Sequence, residues 1–135
     1  MVEMAAVSVF IALLVLGIVD LGRVIFTSIS VRDAVQEGAA FAAYTQDADA
    51  AGITSRVRGA VSDPDLSAAQ IDLYCSPDPR PIQAGTRVRI ELEYDVDLVT
   101  PFIGAIAGDT ITLSPHAEVD RFFPDCPLGV GNPIP

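Results

Sequence analysis

From Met4 to Val19 the chain reads M-A-A-V-S-V-F-I-A-L-L-V-L-G-I-V, apolar at every position except Ser8. A helix that is apolar on all sides is either embedded in a membrane or wholly buried. No proline occurs before Pro64, so the spacing predicts one continuous helix from Val2 to about Tyr44. At 1.5 Å per residue such a helix is ~64 Å long, about twice the ~30 Å hydrocarbon core of a bilayer. Beyond Arg23 the pattern changes. Thr27, Ser30, Asp33 and Glu37 fall on one stripe, while Ile25, Ile29, Val31, Val35, Ala39 and Ala42 occupy much of the remainder. This half is amphipathic and is expected to pack on a domain through its apolar side. Asp20 and Arg23, three apart, are placed to pair on one face and let the apolar stretch run on through Val24-Ile25-Phe26. The alternative is that they interlock packed helices.

A break rich in Asp and Ala begins at Thr45, and a second, shorter helix is predicted from about Asp49 to Val61. Asp63-Pro64-Asp65 ends it, because proline cannot continue a helix and restricts the residue before it. The period then becomes two. Ile71, Leu73 and Cys75 alternate with Asp72 and Tyr74. After a stiff loop at Pro77, Pro79 and Pro81, the clearest strand of the chain alternates Val88, Ile90, Leu92, Tyr94, Val96 and Leu98 with Arg87, Arg89, Glu91, Glu93, Asp95 and Asp97. One buried face and one wet face point to an antiparallel sheet. An apolar loop from Thr100 to Asp109 leads to a third strand, Ile111 to about Phe122, with Leu113, Ala117 and Val119 on one face.

The predicted fold is therefore α+β: a long N-terminal helix and a short helix packed on a three-stranded antiparallel sheet. Its expected organisation is a hydrophobic helix over residues 1–26, a globular domain over 27–123 and a Pro/Gly-rich tail over 124–135.

Charge and cysteine content narrow the function. The net charge is −10, with 18 acidic residues against 8 basic ones, all arginine. Nucleic-acid binding runs on neutralising phosphates, so it is not expected of this surface. With a membrane segment ahead of it, the domain is expected outside the membrane, where disulfides persist. Cys75 and Cys126 are then expected to pair, closing a loop that contributes about 3–5 kcal/mol in the chain-entropy account. The alternative is two buried free thiols. Neither cysteine forms a zinc site with the lone His116, which is read as structural. No basic residue precedes the apolar run and no A-x-A site follows it, so the segment is expected to be retained rather than cleaved as a signal peptide.

Three features bear on chemistry. Glu3 heads the apolar run, and a carboxylate beside such a helix needs a partner. The nearest basic residue in sequence is Arg23, so a cation from another molecule is implied; the alternative is a carboxylate facing headgroup water. The acid row Glu91, Glu93, Asp95 and Asp97 could suggest calcium, but cation loops need ligands converging from a turn, and a solvated strand face fits better. Nothing assembles a nucleophile, a phosphate loop or a metal set, so no enzyme, cofactor or metal is expected.

The segments V-E-M-A at 2–5, G-I-V-D-L-G-R at 17–23 and V-R-D-A-V-Q-E-G-A-A-F-A-A at 31–43, separated by the apolar run, resemble the TadE family, pilin-like proteins of tight-adherence pili. The stretches L-V-T-P-F-I-G at 98–104 and I-T-L-S-P-H-A-E-V at 111–119 extend the resemblance more weakly. The resemblance implies a pilin-like life cycle. A prepilin peptidase removes a short leader, the subunit waits in the inner membrane with its domain outside, and assembly machinery stacks subunits into a surface filament. In such filaments a glutamate near the mature N-terminus pairs with a neighbour's terminal amine. Glu3 matches it, although the family places this residue fifth and here it is third. Cohesion is then expected from Val7, Phe10, Leu13, Leu14, Leu16 and Ile18 packing among neighbouring helices, with Glu3, Asp20 and Arg23 as intersubunit contacts. The chain is thus expected to be a homo-oligomeric filament subunit. A minor pilin, or a membrane-anchored extracytoplasmic binding domain, is the alternative.

Overall fold

The computed structural model describes residues 2–77, 86–98 and 108–121. A single helix, α1, runs from Val2 to Tyr44 and is 43 residues long. Its second half packs on the domain in the spacing of one helical face: Val31, Ala34, Val35, Ala39 and Ala42 are all buried. Ile25 and Ile29, expected on that apolar side, are instead exposed. They lie on the opposite flank of the helix, where the outward-facing Leu21 also sits, so the packed stripe is narrower and made of smaller residues than the sequence pattern suggests.

The second helix, α2, spans Ala50–Ala60. Asp49 caps it: the backbone at Asp49 is extended, and its carboxylate accepts from the Gly52 amide at 2.7 Å. That satisfies one of the orphan amides of the first turn. Ile53 and Val57 are its buried residues and face α1. The approach is close because Gly38 lies opposite Val57; a Cβ at Gly38 would collide with Val57 Cγ2. Between α2 and the sheet, Leu66 plugs the core from a loop that Asp65 fixes by accepting from the amide and hydroxyl of Ser67, at 2.9 and 3.0 Å.

The sheet has four strands rather than three: β1 (Gln70–Pro77), β2 (Thr86–Asp97), β3 (Thr110–Leu113) and β4 (His116–Arg121). β2 is central. It pairs antiparallel with β1 on one side, Cys75 facing Val88, and with β3 and β4 on the other. The expected third strand is divided at Ser114-Pro115. Proline has no amide to give to a ladder. The register nevertheless carries straight through: Leu113 faces Tyr94, His116 faces Glu91, and between them the Leu92 amide donates to the Pro115 carbonyl at 3.1 Å. β3 and β4 therefore share one lane of the sheet. At its other end the Leu98 amide donates to the Asp109 carbonyl at 2.9 Å, beside Gly108, whose φ of 93° favours glycine.

Alternation along β2 survives folding: Val88, Ile90, Leu92 and Val96 are buried toward the helices, with Leu73 and Cys75 beside them on β1. The result is two layers, helices on one face of an antiparallel sheet. The far end of α1 is tied to the sheet by Arg121, which is 3% exposed and donates from Nη2 to the carbonyls of Thr45 and Gln46, both at 3.1 Å. α1 has no basic residue in its last turn, so a guanidinium from β4 meets the negative end of the helix. The apolar loop at 99–107 and the tail from 122 lie outside the described residues.

Candidate assembly helix

The first half of α1 has no polar group in search of a partner within its apolar run. Ser8 Oγ donates to the Ala5 carbonyl at 2.8 Å, so the one hydroxyl is satisfied inside the helix. Around it the side chains stand free. Val7, Phe10, Leu13, Leu14, Leu16 and Ile18 are all exposed, and at ~100° per residue they point round the helix rather than along one stripe. The most apolar 18-residue window of α1 is 6% buried, and the helix is long and apolar enough to cross a membrane. The domain's own core is complete without it.

Glu3 is exposed in the first turn of α1, where the helix dipole favours an acidic group. It forms no ion pair among the described residues. Arg23, the nearest base in sequence, lies ~30 Å along the helix.

Asp20 and Arg23 form the i,i+3 pair that their spacing suggests, though a long one between unequally buried side chains. Asp20 is 3% exposed on the face of α1 that leads into the core, whereas the Arg23 side chain is 52% exposed. Their closest approach, Arg23 Nη1 to Asp20 Oδ1, is 4.0 Å, and it is not the only interaction Asp20 makes. The structure thus buries Asp20 and leaves Arg23 half-exposed at the edge of a cleft beside the domain. Sequence spacing gave both to one helix edge. The signal in the chain is that Asp20 continues the buried face of Val31 and Ala34, in steps of three and four residues through the half-buried Val24 and Thr27.

Clefts border the domain among the described residues. One of about 700 Å³ lies between α1 and α2, bordered by Asp33, Glu37, Phe41 and Arg56. Glu37 Oε1 holds Arg56 there from Nε at 2.9 Å and Nη2 at 2.6 Å. Two others, about 530 and 270 Å³, meet at Tyr94 and Asp95. No group of His, Cys, Asp and Glu suited to a metal occurs among the described residues. In the acid row, Glu91 pairs with Arg89, and Asp95 accepts from Thr112 Oγ1 at 2.6 Å. His116 sits exposed on β4 opposite Glu91. Of the two cysteines, Cys75 is buried on β1, and Cys126 lies outside the described residues.

The geometry singles out α1, and so does comparison with known proteins. Residues 1–40 match a protein family described as TadE-like protein. This N-terminal part of the chain is similar to that family. The match ends four residues short of the end of α1 and includes nothing of the sheet, so the likeness drawn for 98–104 and 111–119 is not part of it. Neither curated proteins nor solved structures give a match to the chain. The likeness thus falls on the helix whose first half is apolar, uncovered and long enough to cross a membrane.

Proposed function

We propose that this TadE-like chain is a structural subunit of an extracellular pilus-like filament and that it polymerises through the first half of α1. One observation carries the reading: the apolar run is continuous with a helix that anchors a finished domain, yet the run itself is bare on every side. A bare apolar helix needs lipid or other helices around it. Before assembly, lipid serves, with the domain outside the membrane. After extraction the same side chains have only each other. Burial of apolar surface stabilises by about 25 cal/mol per Å² when water is the starting solvent, and packing takes over that role when it is lipid.

In this reading the chain works by association and is not an enzyme. A prepilin peptidase and a pilus assembly machine handle it. The exposed Glu3 pairs with the terminal amine of a neighbouring copy, which gives the carboxylate its cation once lipid and water are gone. Cys75 and Cys126 form a disulfide that ties the tail to β1. The burial of Cys75, and the absence of a free cysteine among the described residues, support that pairing. The test is filament yield and membrane insertion in Glu3→Gln. Insertion is expected to match the parent while filament recovery falls at least about tenfold, the equivalent of ~1.4 kcal/mol. Normal filament yield rules out the Glu3 contact.

A further inference from the structure

Over residues 20–29 α1 has two unlike faces. Asp20, Val24 and Thr27 turn to the domain, Leu21, Ile25 and Ile29 turn away and are exposed, and the exposed Phe26 stands between the two at the mouth of a cleft beside the domain. At this same level the domain is acidic: Asp63, Asp95 and Asp97 share the 270 Å³ cleft with Arg23, Phe26 and Thr27. With Met4 at the inner edge of the hydrocarbon, a ~30 Å core holds about 20 helical residues and ends near Arg23. Ile25, Phe26 and Ile29 then stand outside it by up to about 9 Å. Tilting or sinking α1 to cover them would carry three carboxylates toward the hydrocarbon, which is unfavourable. Lipid thus reaches Leu21, at the inner edge of an apolar collar, and leaves the rest of that collar, Ile25, Phe26 and Ile29, uncovered for as long as the chain is anchored.

The surroundings of the collar say what fits it. Arg23 and Arg32 flank it along α1, and the acidic rim lies beside it. Arg32, Asp63 and Asp97 form no ion pair among the described residues. The patch therefore carries both signs of charge around an apolar centre. A second copy alongside brings its rim to these arginines and its own collar to this one, the self-complementarity that a pair of identical chains requires.

We propose that the collar of Leu21, Ile25, Phe26 and Ile29 is a contact between two copies of this chain that forms in the membrane, before any filament grows. It rests on the membrane anchoring in the reading above and not on filament growth. The test uses the full chain in phosphatidylcholine vesicles without assembly machinery, with photoreactive benzoylphenylalanine at Ile29 or, on the domain-facing side, at Thr27. Illumination is expected to give a covalent dimer from Ile29 and none from Thr27. Phe26→Glu is expected to lower the Ile29 dimer at least about tenfold, corresponding to ~1.4 kcal/mol. Leu21→Ser, which changes only an exposed side chain, lowers it in the same direction and keeps the test independent of folding. Lipid adducts without dimer, or equal dimer from both positions, overturn the proposal. A missing vesicle dimer alongside normal filaments sinks the collar and spares the filament reading; a vesicle dimer from a chain never recovered in filaments does the reverse.

Discussion

The two halves of α1 are one helix in two solvents. Residues 4–19 carry large apolar side chains on every side, all uncovered, while residues 31–43 bury a narrow face of Val31, Ala34, Val35, Gly38, Ala39 and Ala42 and expose Arg32, Asp33 and Gln36. The half with more apolar bulk is the one the fold does not use. Small residues let α1 lie close to α2 and the sheet, and polar neighbours decide which side lies inward. The first half has no polar stripe, so no single side is selected, and its contacts must come from outside the chain. Apolar content alone does not mark a core; periodic contrast does.

The comparison breaks most visibly at single core residues. Ile90→Ala is expected to destabilise the domain by about 2–5 kcal/mol, because Ile90 is fully buried and its loss leaves a cavity. Leu14→Ala in the exposed half should leave domain stability within about 0.5 kcal/mol of the parent. Denaturant titration of the full chain in detergent measures both, and similar losses at the two sites would contradict the division of labour. Next comes Gly38→Ala. The new Cβ meets the stiff, buried Val57 side chain, so a loss of about 1–3 kcal/mol is expected from overpacking. Gly22→Ala, with open space around it, should show no such loss in the same titration.

A smaller effect is expected at the rim of the α1–α2 cleft. The Arg56–Glu37 pair is well formed but both side chains are about half exposed, so Arg56→Ala should shift stability by no more than about 1 kcal/mol and less in high salt. The smallest signal comes from Asp65, whose carboxyl is held below its ordinary value of 3.8, first by the Ser67 amide and then by the Ser67 hydroxyl. A carboxyl depressed in the folded state stabilises it above the unfolded value, and that contribution fades as pH falls through the folded one. Asp65→Asn should therefore differ from the parent in thermal midpoint at neutral pH and converge with it in acid. A gap that is unchanged at every pH contradicts the assignment.

Much of the fold was legible because its signals are periodic. The length of α1, the α2 boundaries set by Asp49 and the break before Pro64, and the alternation of β2 all follow from local chemistry. The division of the last strand was also written in the chain, at Ser114-Pro115, but a proline that leaves the register intact interrupts a strand without ending its lane. The harder cases were tertiary. Ile25 and Ile29 look like core residues until the neighbouring sheet chooses the other flank. Nothing local to Asp20 says that it is covered, and nothing local to Arg121 says that it caps a helix 75 residues away. For the candidate site, the apolar run and Glu3 stood out at once, because a uniform pattern needs no partner to be seen. The collar at Leu21–Ile29 did not, because it depends on which face the domain takes.

The central claim is that the bare half of α1 is covered by other copies in a filament. Purified surface filaments, analysed by intact mass and N-terminal sequencing, test it most directly. The account predicts this chain as the dominant species, with Glu3 and the whole apolar run present. A chain that stays in the membrane fraction, or that reaches filaments with the apolar run removed, contradicts it.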